Sequence, residues 1–140
     1  MSKTILLVED NASDEKLALL AFKNCGVEND VRVARDGAAA LDALVGVLPG
    51  VVLLDLKLPK IDGIEVLRRI RGDERTKFLP VVVLTASREE EDVLKSYSLG
   101  ANAYVRKPVD FAEFAEAART IALFWLRFNE GAPSPPRGQM

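Results

Sequence analysis

Short apolar runs alternate along the chain with stretches whose apolar residues return every three or four positions. The runs lie at 5–8, 31–34, 51–54, 81–84 and 103–105. Those at 5–8, 51–54 and 81–84 are apolar throughout, the pattern of parallel strands covered on both faces. The stretches between them read as helices. At 13–24, Leu17, Leu20 and Ala21 recur at helical spacing, with Asn11 or Ser13 as cap and Gly26 as stop. A second helix is predicted over 38–47, between the Asp36-Gly37 turn and the Pro49-Gly50 break. A third, over 63–71, places Ile64, Leu67 and Ile70 on one face. A fourth, over 88–99, opens on Glu89-Glu90-Glu91-Asp92, acids that suit the positive end of the helix dipole, and closes at Gly100. The last is capped by Asp110 and runs to about Phe128.

Strict alternation of strand and helix predicts an α/β fold, a (βα)5 doubly wound sandwich around a parallel five-stranded sheet. One domain is expected over residues 1–128, followed by a disordered tail over 129–140, rich in Pro, Gly and Ser.

Composition narrows the chemistry. The 140 residues carry a formal net charge of −2, against the basic surface that sequence-independent nucleic-acid binding needs. The chain has no histidine, which excludes Ser-His-Asp and Cys-His catalysis and a histidine phosphodonor of its own. Cys25 is the single cysteine, so it forms no internal disulfide and no metal-ligand pattern; it reads as a small buried hydrophobe near a helix end. The opening MSKTILLVED lacks the pattern of a signal peptide, and no apolar run approaches the ~20 residues of a membrane span. A cytoplasmic protein is expected, with neither nucleic acid nor membrane as partner.

Polar residues stand where the strands end. The first run is followed by Glu9-Asp10, the third by Asp55, the fourth by Thr85, and the fifth leads into Lys107. Parallel strands present all their carboxyl ends on one edge, so these side chains are expected to converge. A buried, unpaired carboxylate is costly. Asp55 is therefore compensated by its neighbours, or by a cation they hold jointly. Clustered carboxylates repel one another, so the site needs a cation or contains an acid of raised pKa. Donors that are all oxygen favour a hard divalent ion, Mg2+ above all, with Mn2+ or Ca2+ able to substitute. Such an ion beside a lysine and a hydroxyl suits phosphoryl transfer, and an aspartate can be the nucleophile, giving an aspartyl-phosphate.

The segments LLVEDN at 6–11, LLDLKLPKIDG at 53–63, VVVLTA at 81–86 and AYVRKP at 103–108 together resemble the CheY-like receiver domain of two-component response regulators. The resemblance implies a flavodoxin-like strand order, 2-1-3-4-5. It implies Asp55 as phosphoacceptor, Asp10 as a direct Mg2+ ligand, Glu9 acting through water, and the Lys57 backbone carbonyl as a further ligand. Thr85 would hydrogen-bond a phosphoryl oxygen and Lys107 would pair with the phosphoryl group, with a cis peptide bond between Lys107 and Pro108. Thr85 and Tyr104 would form the switch. Pro59 and Gly63 fit the turn that presents Asp55. Two alternatives remain. Aspartate-nucleophile phosphatases need an acid two residues after the nucleophile, where this chain has Lys57, so a turnover enzyme is not expected. A receiver-like interaction module that takes no phosphate usually lacks one of the five site residues.

The last helix carries a second message. Phe111, Phe114, Ala115, Ala118, Ala122 and Trp125 form one apolar stripe expected to pack on the sheet, yet residues 121–126 are apolar all round. Phe124 and Leu126 are then expected at the surface, marking an interface with Trp125. FWL at 124–126 is similar to the end of the last helix in single-domain regulators of bacterial phytochromes. That similarity implies a homodimer through the fourth and fifth helices and a phytochrome-type histidine kinase as phosphodonor. The sequence ends soon after the receiver-like segment, so the expected protein is a single-domain response regulator. It would take a phosphoryl group on Asp55 in a Mg2+-dependent reaction and signal through its fourth helix, fifth strand and fifth helix.

Overall fold

A computed structural model describes residues 4–25 and 31–133. Its strands are β1 (Ile5–Val8), β2 (Val31–Ala34), β3 (Val51–Leu54), β4 (Val81–Thr85) and β5 (Ala103–Arg106). The helices are α1 (Ala12–Asn24), α2 (Gly37–Ala43), α3 (Gly63–Gly72), α4 (Glu90–Ser98) and α5 (Phe111–Leu123), the last continuing as a π-helical turn over Phe124–Phe128. All strand pairs are parallel, in the order β2-β1-β3-β4-β5. Chain order reverses between β1 and β3, so the loops after those strands diverge and leave a crevice at the carboxyl edge.

Alternation along the strands sorts the core into two layers. Ile5, Leu7, Val51, Leu53, Val82 and Leu84 point to one face, where Phe22 of α1 and Phe114, Ala118 and Ala122 of α5 cover them. Leu6, Val8, Val52, Leu54, Val81 and Val83 point to the other, under Ala40, Val66, Leu67 and Ile70 of α2 and α3. Each large side chain buried this way contributes roughly 1.5–3 kcal/mol of transfer free energy. Both faces of β1, β3 and β4 are thus apolar, as their sequence requires.

The helix ends differ from expectation in instructive ways. Asn11 caps α1, its side chain accepting from the Asp14 N–H at 3.0 Å. The proposed stop at Gly26 lies outside the described residues; Cys25 closes the last described turn through its N–H to the Ala21 carbonyl, and is partly buried against the core. Leu20 is more than half exposed, and Ala18, Ala21 and Phe22 form the buried face instead. Helix α2 stops at Ala43 rather than 47. Arg32 donates to the carbonyls of Ala43 and Val47, and Arg75 to those of Leu44 and Gly46, so the carbonyls of the unwound turn are satisfied from outside the helix. Helix α4 starts at Glu90, because Ser87 ties the preceding loop to the Asp92 carboxylate. Among the described residues no helix is long and apolar enough to cross a membrane. Of the predicted tail, residues 129–133 are irregular and 134–140 lie outside the described residues.

The burial of the C-terminal segment differs from the sequence reading. Ile121 and Ala122 are both buried, and Leu126 follows Ala122 by four positions, on the same helical face. Leu126 is therefore core, not surface, while Phe124 and Phe128 face outward. Trp125 is partly buried against the core and meets Phe124 edge to face, ring centroids 5.0 Å apart. Phe111 is exposed as well, so the buried stripe of α5 begins one turn later, at Phe114.

Candidate functional site

The ladder of the sheet continues one residue past the strands. The Glu9 N–H donates to Ala34, the Asp55 N–H to Val8, and the Lys107 N–H to Thr85, at 2.9, 3.1 and 2.8 Å. These backbone bonds fix the first residue after each strand, so Glu9, Asp55 and Lys107 stand side by side on the carboxyl edge. Gly63 secures the turn beneath them. A Cβ there would lie 2.3 Å from the Asp55 carbonyl oxygen and 2.6 Å from the Leu56 Cα. Only glycine lets α3 start this close to the strand end. Lys60, at φ 68°, supplies the left-handed residue that closes the loop.

Asp55 is buried and fully engaged. Its Oδ1 accepts from the Thr85 hydroxyl at 2.7 Å and the Lys57 N–H at 3.2 Å, and its Oδ2 accepts from Lys107 Nζ at 2.9 Å. Lys107 Nζ also reaches Glu9 Oε1 at 2.8 Å and Asp14 Oδ2 at 2.9 Å. Glu9, Asp10 and Asp55 each place a carboxylate oxygen within 4.8 Å of the others, with Asp10 exposed at the mouth. Burial raises the Glu9 pKa from 4.5 to about 7, against the lowering effect of the Lys107 hydrogen bond and charge. Burial also disfavours the Lys107 ammonium, but its hydrogen bonds to Glu9, Asp14 and Asp55 outweigh this and the net shift is upward. Such a rise is expected from repulsion among the carboxylates; at Glu9 burial comes first, and the Asp55 charge adds less.

The Lys107–Pro108 bond is trans, since no cis peptide bond occurs among the described residues. The lysine reaches all three carboxylates in this form, and trans is the intrinsically preferred isomer of an X–Pro bond. Tyr104 is half-buried on β5, its hydroxyl donating to the Ser87 carbonyl at 3.2 Å, so it holds the β4–α4 loop. Two residues of this neighbourhood escaped the sequence reading. Asp14 sits in the first turn of α1, where an acid is ordinarily explained by the helix dipole. Asp92 bonds the Ser87 hydroxyl and lies 3.6 Å from Lys57 Nζ. It helps to line an open cavity of about 490 Å³ beside Asp10 and Lys57. Its place in an acidic run concealed it.

Residues 5–119 match the response regulator receiver domain family. The chain belongs to that family. Among curated relatives, FilR2 of Methanothrix harundinacea is 42% identical over 137 residues, 94% of this chain and 88% of that one. Response regulator Rcp1 of Synechocystis is 39% identical over 131 residues, 89% of each. Among solved structures, the phosphorylated cyanobacterial phytochrome response regulator RcpA superposes with a TM-score of 0.89 at 37% identity, covering 95% of this chain and all of that one. The Mn2+-bound form of Rcp1 superposes with a TM-score of 0.87 at 36% identity, covering 93% of this chain and 99% of that one. The strand order is that of the receiver fold. The receiver's acidic trio, all oxygen donors beside a strongly basic lysine, fits a hard divalent cation.

Proposed function

We propose that this receiver accepts a phosphoryl group on Asp55 from a histidine kinase, in a reaction that depends on Mg2+ held by Glu9, Asp10, Asp55 and the Lys57 carbonyl. One observation carries the reading: a buried carboxylate with Thr85 on one oxygen, Lys107 on the other, and two more acids within reach. An Asp55 oxygen attacks phosphorus and forms the acyl-phosphate bond. The bond from phosphorus to the donor imidazole nitrogen breaks, its electron pair staying on that nitrogen. When bound, the cation neutralises charge on the phosphoryl oxygens and orients them. Lys107 pairs with one of those oxygens, and the Thr85 hydroxyl moves from Asp55 to another. The Ser87 N–H lies 3.5 Å from Thr85 Oγ1 and the Ser87 carbonyl holds Tyr104, so that movement is transmitted to the β4–α4 loop and to the face formed by α4, β5 and α5.

The donor we favour is a phytochrome-type kinase, supported by the likeness to RcpA along nearly the whole chain. A homodimer through the α4–β5–α5 face, in the cytoplasm, completes the proposal; the exposed rings of Phe124 and Phe128 support it. Light scattering on Phe124→Asp tests the dimer, and an unchanged dimer mass would refute this use of the face. The phosphoacceptor is tested by intact mass after incubation with Mg2+ and acetyl phosphate. One phosphoryl adduct is expected on the wild type, none on Asp55→Asn and none after chelation. Absence of the adduct, with a labelled receiver as control, would leave an interaction module that works without phosphate.

A further inference from the structure

The ammonium of Lys107 has three N–H donors and no more. All three are in use, to Glu9 at 2.8 Å, Asp14 at 2.9 Å and Asp55 at 2.9 Å. Two of these acceptors belong to the part of the site that changes when it is loaded. Asp55 is the proposed phosphoacceptor, and Glu9 and Asp55 are both in the trio within reach of one cation. Asp14 is outside that trio. It projects from the first turn of α1, where its own N–H is fixed by the Asn11 cap at 3.0 Å. Its side chain is 25% exposed, against 3% for Glu9 and 7% for Asp55, so it reaches Lys107 from the solvent side of the cluster.

We propose that Asp14 is a positioning residue for phosphoryl transfer: it anchors Lys107 from the α1 side, so that the ammonium stays in place while its other two donors are exchanged. The inference rests on the reading of Asp55 as phosphoacceptor. Without the anchor, the ammonium is left to Glu9 and Asp55 alone. It then pairs more closely with the nucleophilic carboxylate and is held less well where the phosphoryl oxygens arrive. Both effects slow transfer. Asparagine retains an acceptor oxygen at this position but not the charge; alanine removes both.

The test is the rate of acyl-phosphate labelling, followed by intact mass in saturating MgCl2 with acetyl phosphate. It is run on the wild type, Asp14→Asn, Asp14→Ala and Lys107→Met, and on Asp14→Asn combined with Lys107→Met. Losing one charge-assisted hydrogen bond at the transition state predicts a rate lower on the order of tenfold for Asp14→Ala, with a smaller loss for Asp14→Asn. The loss from Asp14→Asn should fall to within about twofold in the Lys107→Met background, a coupling that a merely structural role of Asp14 would not produce. Labelling of Asp14→Ala at the wild-type rate would overturn the inference and leave the phosphoacceptor reading intact. So would an equal loss with and without Lys107. No label on the wild type would remove both together.

Discussion

Replacing Lys107 by methionine isolates what one ammonium does for three acidic side chains. Methionine fills a similar volume and leaves Glu9, Asp14 and Asp55 without their shared cation. The lysine side chain is 9% exposed and two of its partners are buried still more deeply, so solvent screens little of the loss. Removing one partner of a buried ion pair costs about 3–5 kcal/mol. Asp14 is partly hydrated and Glu9, already raised to about 7, readily takes up a proton. These two escapes place the cost near the lower end, about 3 kcal/mol at pH 8 in chelator. That corresponds to a drop in Tm of about 10 °C for a domain of this size. Denaturant melts at pH 8 and pH 5.5, each with EDTA or with Mg2+, check the reasoning. The deficit should shrink at pH 5.5, where Glu9 is neutral, and shrink again at pH 8 when Mg2+ supplies the missing positive charge. A deficit of one size in all four conditions would mean that the variant is mispacked and that charge compensation is not what Lys107 provides.

Other outcomes follow from single distances and environments. Because Glu9 titrates near 7 when folded and near 4.5 when unfolded, its stabilising contribution is complete below pH 4.5 and is lost as pH rises through about 7. In chelator, the wild type should lose stability over that window relative to Glu9→Gln; parallel pH profiles of the two proteins would contradict the shift. Gly63→Ala pushes a methyl group into the Asp55 carbonyl and the Leu56 Cα, both backbone atoms that cannot step aside. It should destabilise by about 1–3 kcal/mol and also slow acyl-phosphate labelling, and a fully active, fully stable variant would show that the turn adapts. Ser96 is completely buried on α4, and its hydroxyl has no hydrogen-bond partner among the described residues. Ser96→Ala should therefore raise stability by about 1 kcal/mol, measured by denaturant melts, and a loss would reveal a partner for that oxygen.

The parts legible in the sequence were those written in repeated local patterns. Three apolar runs could only be strands covered on both faces, and one polar side chain after each run pointed to a common edge. Asp55 was the clearest case, since a carboxylate after four apolar residues needs an explanation that a loop aspartate does not. Asp14 carried no such mark. An acid in a first helical turn is sufficiently explained by the dipole, and only the packing of α1 on β5's loop reveals its tie to Lys107. The length of α2 was illegible for the same reason: its end is decided by Arg32 and Arg75, distant in sequence. Leu20 and Leu126 failed because residues three and four apart share one helical stripe, and the stripe's edge is set by packing: α1 buries Ala18, Ala21 and Phe22, and α5 passes from Ala122 to Leu126, with Trp125 only partly buried beside it.

The turn that follows α5 bears on how such a surface can change. The π turn over Phe124–Phe128 is an α-helix carrying one residue more than its length allows. Deleting a single residue there would restore the ordinary winding and rotate everything beyond it by about 100°. The residues beyond the turn would be carried to a new side, while the sheet, the acid cluster and α5 up to Leu123 kept their places. The identity of the C-terminal face is thus set by a count of residues as much as by their kinds. A one-codon gain or loss could remake that face without touching the acid cluster around Asp55.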